Sequence, residues 1–91
     1  MSIKAYQIQV FGKVQRVGFR FYVQKGAEMY NVKGFAKNMA DGSVFIEAEG
    51  DAEDMGAFKD YCRKGPDWSN VTGFQANEIP PTGYKHFEIK H

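Results

Sequence analysis

Between Tyr6 and Tyr30 the apolar period of the chain changes from two residues to about 3.6, and between Val44 and Cys62 it does so again. Few folds accept two strand-to-helix units in so short a chain. Tyr6, Ile8 and Val10 alternate with Gln7 and Gln9, which predicts a half-buried strand over residues 5–11. Residues 12–19 form a connection bearing Gly12 and Gly18. Phe19, Val23, Gly26, Ala27 and Tyr30 then fall on one face of a helix that Asn31 ends. Residues 32–39 read as a second strand, and Asp41-Gly42 is a hairpin turn. Val44, Ile46 and Ala48 alternate through a third strand over 43–49. Gly50-Asp51 opens a second helix with Asp51 as N-cap, and Glu53 and Asp54 place favourable negative charge in its first turn. Met55, Phe58 and Cys62 give that helix its apolar face, and Gly65-Pro66 stops it. Residues 70–79 read as a fourth strand. Pro80-Pro81 breaks the chain, and a short last strand runs from Tyr84 to Ile89.

The order is β-α-β-β-α-β plus a terminal strand. An α+β, ferredoxin-like sandwich satisfies it: one antiparallel sheet with two helices on one face, and a short C-terminal strand. At 91 residues the chain is read as a single domain, residues 1–91, whose small core takes its bulk from eight Phe, five Tyr and Trp68. This topology brings the 12–19 connection and the end of the second strand near Asn38 to the same edge of the sheet. Residues some twenty positions apart meet there.

Several classes of function fall away on composition. One cysteine, Cys62, excludes an internal disulfide framework and a cysteine-based zinc site. No apolar run reaches membrane-spanning length, and Met1-Ser2-Ile3-Lys4 begins no signal-type segment. The expectation is a cytoplasmic monomer with no membrane partner. The formal net charge is +1, against coating of nucleic acid by charge. That sum conceals an asymmetry: residues 1–40 carry seven Lys or Arg against Glu28 alone, so the first half can attract an anion, although most of these charges read as ordinary solvated faces.

Within that half, Gly12-Lys13-Val14-Gln15-Arg16-Val17-Gly18-Phe19-Arg20 joins a strand to a helix. The first N–H groups of a helix lack intrahelical acceptors and, with the helix dipole, favour an oxyanion or phosphate. Arg20, in the first turn, supplies a fork matched to two phosphate oxygens. An ordinary connection with a solvated arginine has the same spacing. Asn38 likewise reads either as a turn residue bonding its own backbone or as a carboxamide holding a water or substrate oxygen. Position alone leaves both pairs of readings open.

Gly12 to Arg20 resembles the signature of the acylphosphatase family, a G-x-V-Q-G-V-x-F-R segment that forms a phosphate loop. Gly34-Phe35-Ala36-Lys37-Asn38 resembles the family's second signature. Asp41-Gly42-Ser43-Val44 and Glu49-Gly50 follow in the family's order. The likeness covers nearly the whole chain. It implies hydrolysis of a small-molecule acyl phosphate to a carboxylate and inorganic phosphate, without metal or cofactor. Carried over by position, Arg20 binds phosphate and Asn38 orients the attacking water. The backbone of Gln15, Arg16, Val17, Gly18 and Phe19 forms the cradle. Arg16 departs from the pattern, standing where the family signature usually has glycine. A positive φ there would cost a non-glycine residue about 1–3 kcal/mol.

The remaining chemical groups read as structural. His86 is expected in solvent and His91 is the last residue, and neither has partners at metal-ligand spacing. Cys62 reads as a small buried hydrophobe, and Trp68 as a cover for the edge of the core. A rival reading takes Lys33-Gly34-Phe35-Ala36, with Phe35 and Phe45 on the outer sheet face, as an RNA-stacking platform. A second rival is an anion-binding domain of the same shape without turnover. The Gly12–Arg20 loop has no purpose in the RNA reading.

Overall fold

Both changes of period become strand-to-helix units in the computed structural model, which describes residues 2–91. The elements are β1 (Ile3–Lys13), α1 (Phe19–Met29), β2 (Lys33–Asn38), β3 (Val44–Asp51), α2 (Ala52–Lys64), β4 (Asn70–Ile79) and β5 (Phe87–Lys90). They form one five-stranded sheet in the order β4-β1-β3-β2-β5. The pairs β1–β3, β1–β4 and β2–β3 are antiparallel. The ferredoxin-like expectation therefore holds, and the terminal strand adds in parallel beside β2, making the sheet mixed.

Alternation decides what each strand buries. Ile8 and Val10 of β1, Val44, Ile46 and Ala48 of β3 and Ala36 of β2 meet Phe19, Val23, Met55, Phe58 and Cys62 in one core. All of these are essentially inaccessible to solvent, so removing methylene groups here costs both transfer energy and a cavity. Tyr22 and Tyr61 lock α1 to α2. Their rings stack at 4.1 Å, and each phenol donates to the other residue's carbonyl, at 2.9 Å and 2.8 Å. Burial, then the neighbouring Tyr61, pushes the Tyr22 phenol up to about 12. It therefore stays a protonated donor at neutral pH.

Two strand ends and one helix cap differ from the sequence reading for a hydrogen-bonding reason, and β3 also runs on to Asp51, two residues past its expected end. β1 runs past residue 11 because a bulge at Phe11/Gly12 carries the pairing on to Val71 and Asn70. Gly12 has φ +118°, and a Cβ there would lie 2.1 Å from the Asn70 carbonyl oxygen, so the bulge requires glycine. β5 begins at Phe87, not Tyr84, because the Tyr84 N–H is given to Glu49 at 3.1 Å. Asp51 stands at the N-cap position of α2, but its carboxylate makes no capping bond, and the Ala52 N–H donates to the Ser2 carbonyl.

Glu49 is the anchor of the β4–β5 connection. Its carboxylate, in a residue 6 % exposed, accepts from the N–H groups of Thr82, Gly83 and Tyr84 and from the Thr82 hydroxyl. A buried charge is tolerated only with such a set of donors. The clamp fixes the chain as it crosses to the far edge of the sheet, where β5 pairs with β2.

Candidate active site

Register brings the two signature segments together. Val44 pairs with Val10 on one side and with Asn38 on the other. The end of β2 therefore stands level with the end of β1, one strand apart, as the topology argument requires. Gly18, Arg20 and Asn38 line a single cleft of about 200 Å³. Arg16 and Phe19 line it too. Gln15 and Val17 do not.

The loop is shaped by two residues in the left-handed region, Arg16 at φ +62° and Gly18 at φ +73°. Such alternations turn successive N–H groups toward one side and make anion-binding nests. Gly18 is also the N-cap of α1, and no side chain caps this helix. A Ser or Asp at that position would fill the helix mouth with its own oxygen. Here the first intrahelical bond runs from the Tyr22 N–H to the Gly18 carbonyl at 2.9 Å. The N–H groups of Phe19, Arg20 and Phe21 precede it and remain available to an anion.

Arg20 is held from one side. Its Nη1 donates to the Lys90 carbonyl at 2.8 Å and lies 3.4 Å from Nδ1 of His91. β5 thereby orients the guanidinium, and the Nη2 and Nε donors remain for a ligand. His91, to which the sequence reading gave no role, is exposed but lines the cleft. His86 is exposed and lies elsewhere.

Gln15 has a role that its place in the signature does not reveal. Its Nε2 donates to the carbonyls of Met39 at 2.7 Å and Ser43 at 2.9 Å. Both belong to the β2–β3 hairpin that carries Asn38. The Ser43 carbonyl also accepts from the Met39 N–H, and Gln9 Nε2 donates to the Ser43 hydroxyl at 2.8 Å. Asp41 Oδ1 accepts from the Ser43 hydroxyl and N–H, which lowers the Asp41 carboxyl below the usual range. The loop and the hairpin are thus one hydrogen-bonded body. Their separations, 24 and 28 residues, hide this from any local motif.

Trp68 does not cover the core. It is 65 % exposed, and its indole N–H donates to the Val17 carbonyl. The indole N–H needs an acceptor, and the loop supplies one. Cys62 is fully buried, and burial pushes its thiol up, so it is no nucleophile at neutral pH. Among the described residues no group of three or more His, Cys, Asp or Glu side chains gathers as a metal site, and no helix is long and apolar enough to cross a membrane.

Strain at position 16 gives a test. Arg16→Gly relieves a left-handed φ worth about 1–2 kcal/mol but frees the unfolded chain by up to about 1 kcal/mol. The expected net effect is a stability gain of about 0–1 kcal/mol by urea titration. The same change removes a cation from the cleft wall. Affinity for inorganic phosphate should fall by about two- to fivefold at low salt, and the difference should close in high salt as screening takes over. A salt-independent loss would show that Arg16 acts by direct contact instead.

Residues 6–89 match the family model described as Acylphosphatase. A curated acylphosphatase of Thermotoga petrophila is 45 % identical over 98 % of this chain and 99 % of its own length. That of Bacillus velezensis is 42 % identical over 94 % of this chain and 97 % of its own. The crystal structure of acylphosphatase from Bacillus subtilis superposes with a TM-score of 0.93 at 35 % identity, covering 99 % of this chain and 100 % of that one.

Proposed function

This chain belongs to the acylphosphatase family of enzymes, and from that premise we propose how it hydrolyses small acyl phosphates. The carrying observation is one cleft that joins an uncapped helix mouth, an arginine held from behind and a carboxamide from a neighbouring strand. The loop backbone that lines the cleft, at Arg16, Gly18 and Phe19, holds the phosphoryl oxygens of the substrate dianion together with Arg20. Asn38 holds a water through its side-chain amide on one side of phosphorus. The water oxygen attacks phosphorus as the bond from phosphorus to the acyl oxygen breaks. The electron pair leaves with the carboxylate.

The chemistry asks for little beyond this. A carboxylate leaving group, whose conjugate acid has a pKa of about 4, departs without a general acid. A loose phosphoryl transition state needs little push from the nucleophile, so a neutral carboxamide that aims water suffices. The water's proton passes to a phosphoryl oxygen of the substrate. Charge stabilisation comes from the cradle and Arg20, already oriented before the substrate arrives. No step in this sequence calls on a metal or a cofactor.

Benzoyl phosphate hydrolysed in ¹⁸O-water tests the step. Attack at phosphorus delivers the label to inorganic phosphate. Label in benzoate would mean attack at the carbonyl and would overturn the assignment of Asn38. No turnover alongside phosphate binding would favour the anion-binding alternative. The RNA-platform reading meets an occupied surface: the Phe35 ring has Lys90 Nζ 4.3 Å from its centroid and the Tyr84 ring edge-on at 6.1 Å. We read the chain as one cytoplasmic domain acting as a monomer on a small diffusible substrate.

A further inference from the structure

We propose that Phe21 is the acyl-group contact, and that this enzyme consequently favours aromatic and bulky apolar acyl phosphates over acetyl phosphate. The inference rests on the phosphate-cradle reading and adds to it the substrate class. Phe21 is 63 % exposed, one of few large apolar side chains left outside the core. It follows Arg20 directly in the first turn of α1 and lines the same cleft as Arg20 and Asn38.

In-line displacement fixes where the acyl group goes. Water and leaving group lie on opposite sides of phosphorus, so the acyl chain points away from the water that Asn38 holds. The other walls sort by chemistry. Val14 and Phe19 are 1 % exposed and belong to the core. Arg16, Gly18 and Arg20 are taken up with phosphate. The apolar surface that remains is Phe21, with half-buried Ile89 of β5. An aromatic acyl group covering the Phe21 ring removes apolar surface of both partners from water, and offset or edge-to-face ring contact adds to that. A methyl group covers too little of it to gain comparably.

The test uses unreactive isosteres, phenacylphosphonate for benzoyl phosphate and acetonylphosphonate for acetyl phosphate, with affinities measured by calorimetry. The wild type should bind the phenacyl compound about five- to tenfold more tightly. Phe21→Ala should reduce that preference to within about twofold, and Phe21→Trp should keep it. Met29→Ala, 60 % exposed at the other end of the same helix, should leave it intact. Equal wild-type affinities, or a preference that survives Phe21→Ala, would overturn the proposal. If the preference behaves as stated while benzoyl phosphate is not hydrolysed, the subsite stands and the hydrolytic reading fails. The two are thereby separable.

Discussion

Arg20→Ala is expected to lower kcat/KM for benzoyl phosphate by about 10³- to 10⁴-fold, with competitive inhibition by inorganic phosphate weakened by at least about 10²-fold. Two things are lost together. The fork no longer meets the phosphoryl oxygens as negative charge spreads over them, and the cleft loses the charge that its dianionic ligand most needs. The fold should survive, because the side chain lies on the cleft wall and not among the core residues. Its one strong internal bond, Nη1 to the Lys90 carbonyl, leaves an acceptor that water can reach. Thermal unfolding followed by circular dichroism checks that assumption. Arg20→Lys should recover only a small part of the rate. Lysine restores a charge but not two coplanar donors, and it cannot both hold the Lys90 carbonyl and grip a phosphate. A lysine variant close to wild type would show that charge alone is enough.

Asn38→Ala should lower kcat by about 10²- to 10³-fold while leaving phosphate inhibition within about threefold of wild type. This split separates the two roles. In the proposed mechanism Arg20 acts on the anion in ground and transition states, whereas Asn38 acts on a water that matters only when the bond to phosphorus forms. Asn38→Asp should be worse than alanine. A carboxylate placed at the water position faces the phosphoryl dianion, so it repels substrate as well as failing to donate. If alanine at 38 weakens phosphate binding as much as turnover, the side chain belongs to the cradle instead.

The fold was legible because its signals are local. Alternation in β1 and β3, the apolar stripe from Phe19 to Tyr30 and the Asp41-Gly42 turn each declare an element within a few residues. Asn31, placed as the stop of α1, takes the left-handed φ of +55° that ends a helix. Legibility fell where an element depends on a distant partner. Tyr84 reads as strand until Glu49 claims its N–H. Glu49 itself reads as an outward charge on an alternating strand, because nothing near it signals a connection folding over it.

The candidate site divides in the same way. Arg20 and Asn38 were identified from two signatures, and the topology sufficed to bring their segments to one edge. The departure at Arg16 was visible, but its positive φ stood only as a condition until the structure placed it at +62°. Gln15 was assigned for its backbone, yet its side chain is what joins loop to hairpin. Trp68 read as a cover for the edge of the core because it is large and apolar. Its single polar hydrogen, bonded to Val17, sets its place instead.

The hydrogen bond between Arg20 and Lys90 joins residues 70 positions apart. Contacts of that span close slowly, since much of the chain must already be ordered before they form. The β2–β3 hairpin, β1 and both helices can assemble first, with β5 docking beside β2 at the end. Catalytic competence then works as a late checkpoint on the fold: a molecule that has collapsed and gained its helices still lacks a correctly aimed arginine. Incompletely folded chains would pass any test of secondary structure and remain inert toward substrate until the last strand is in place.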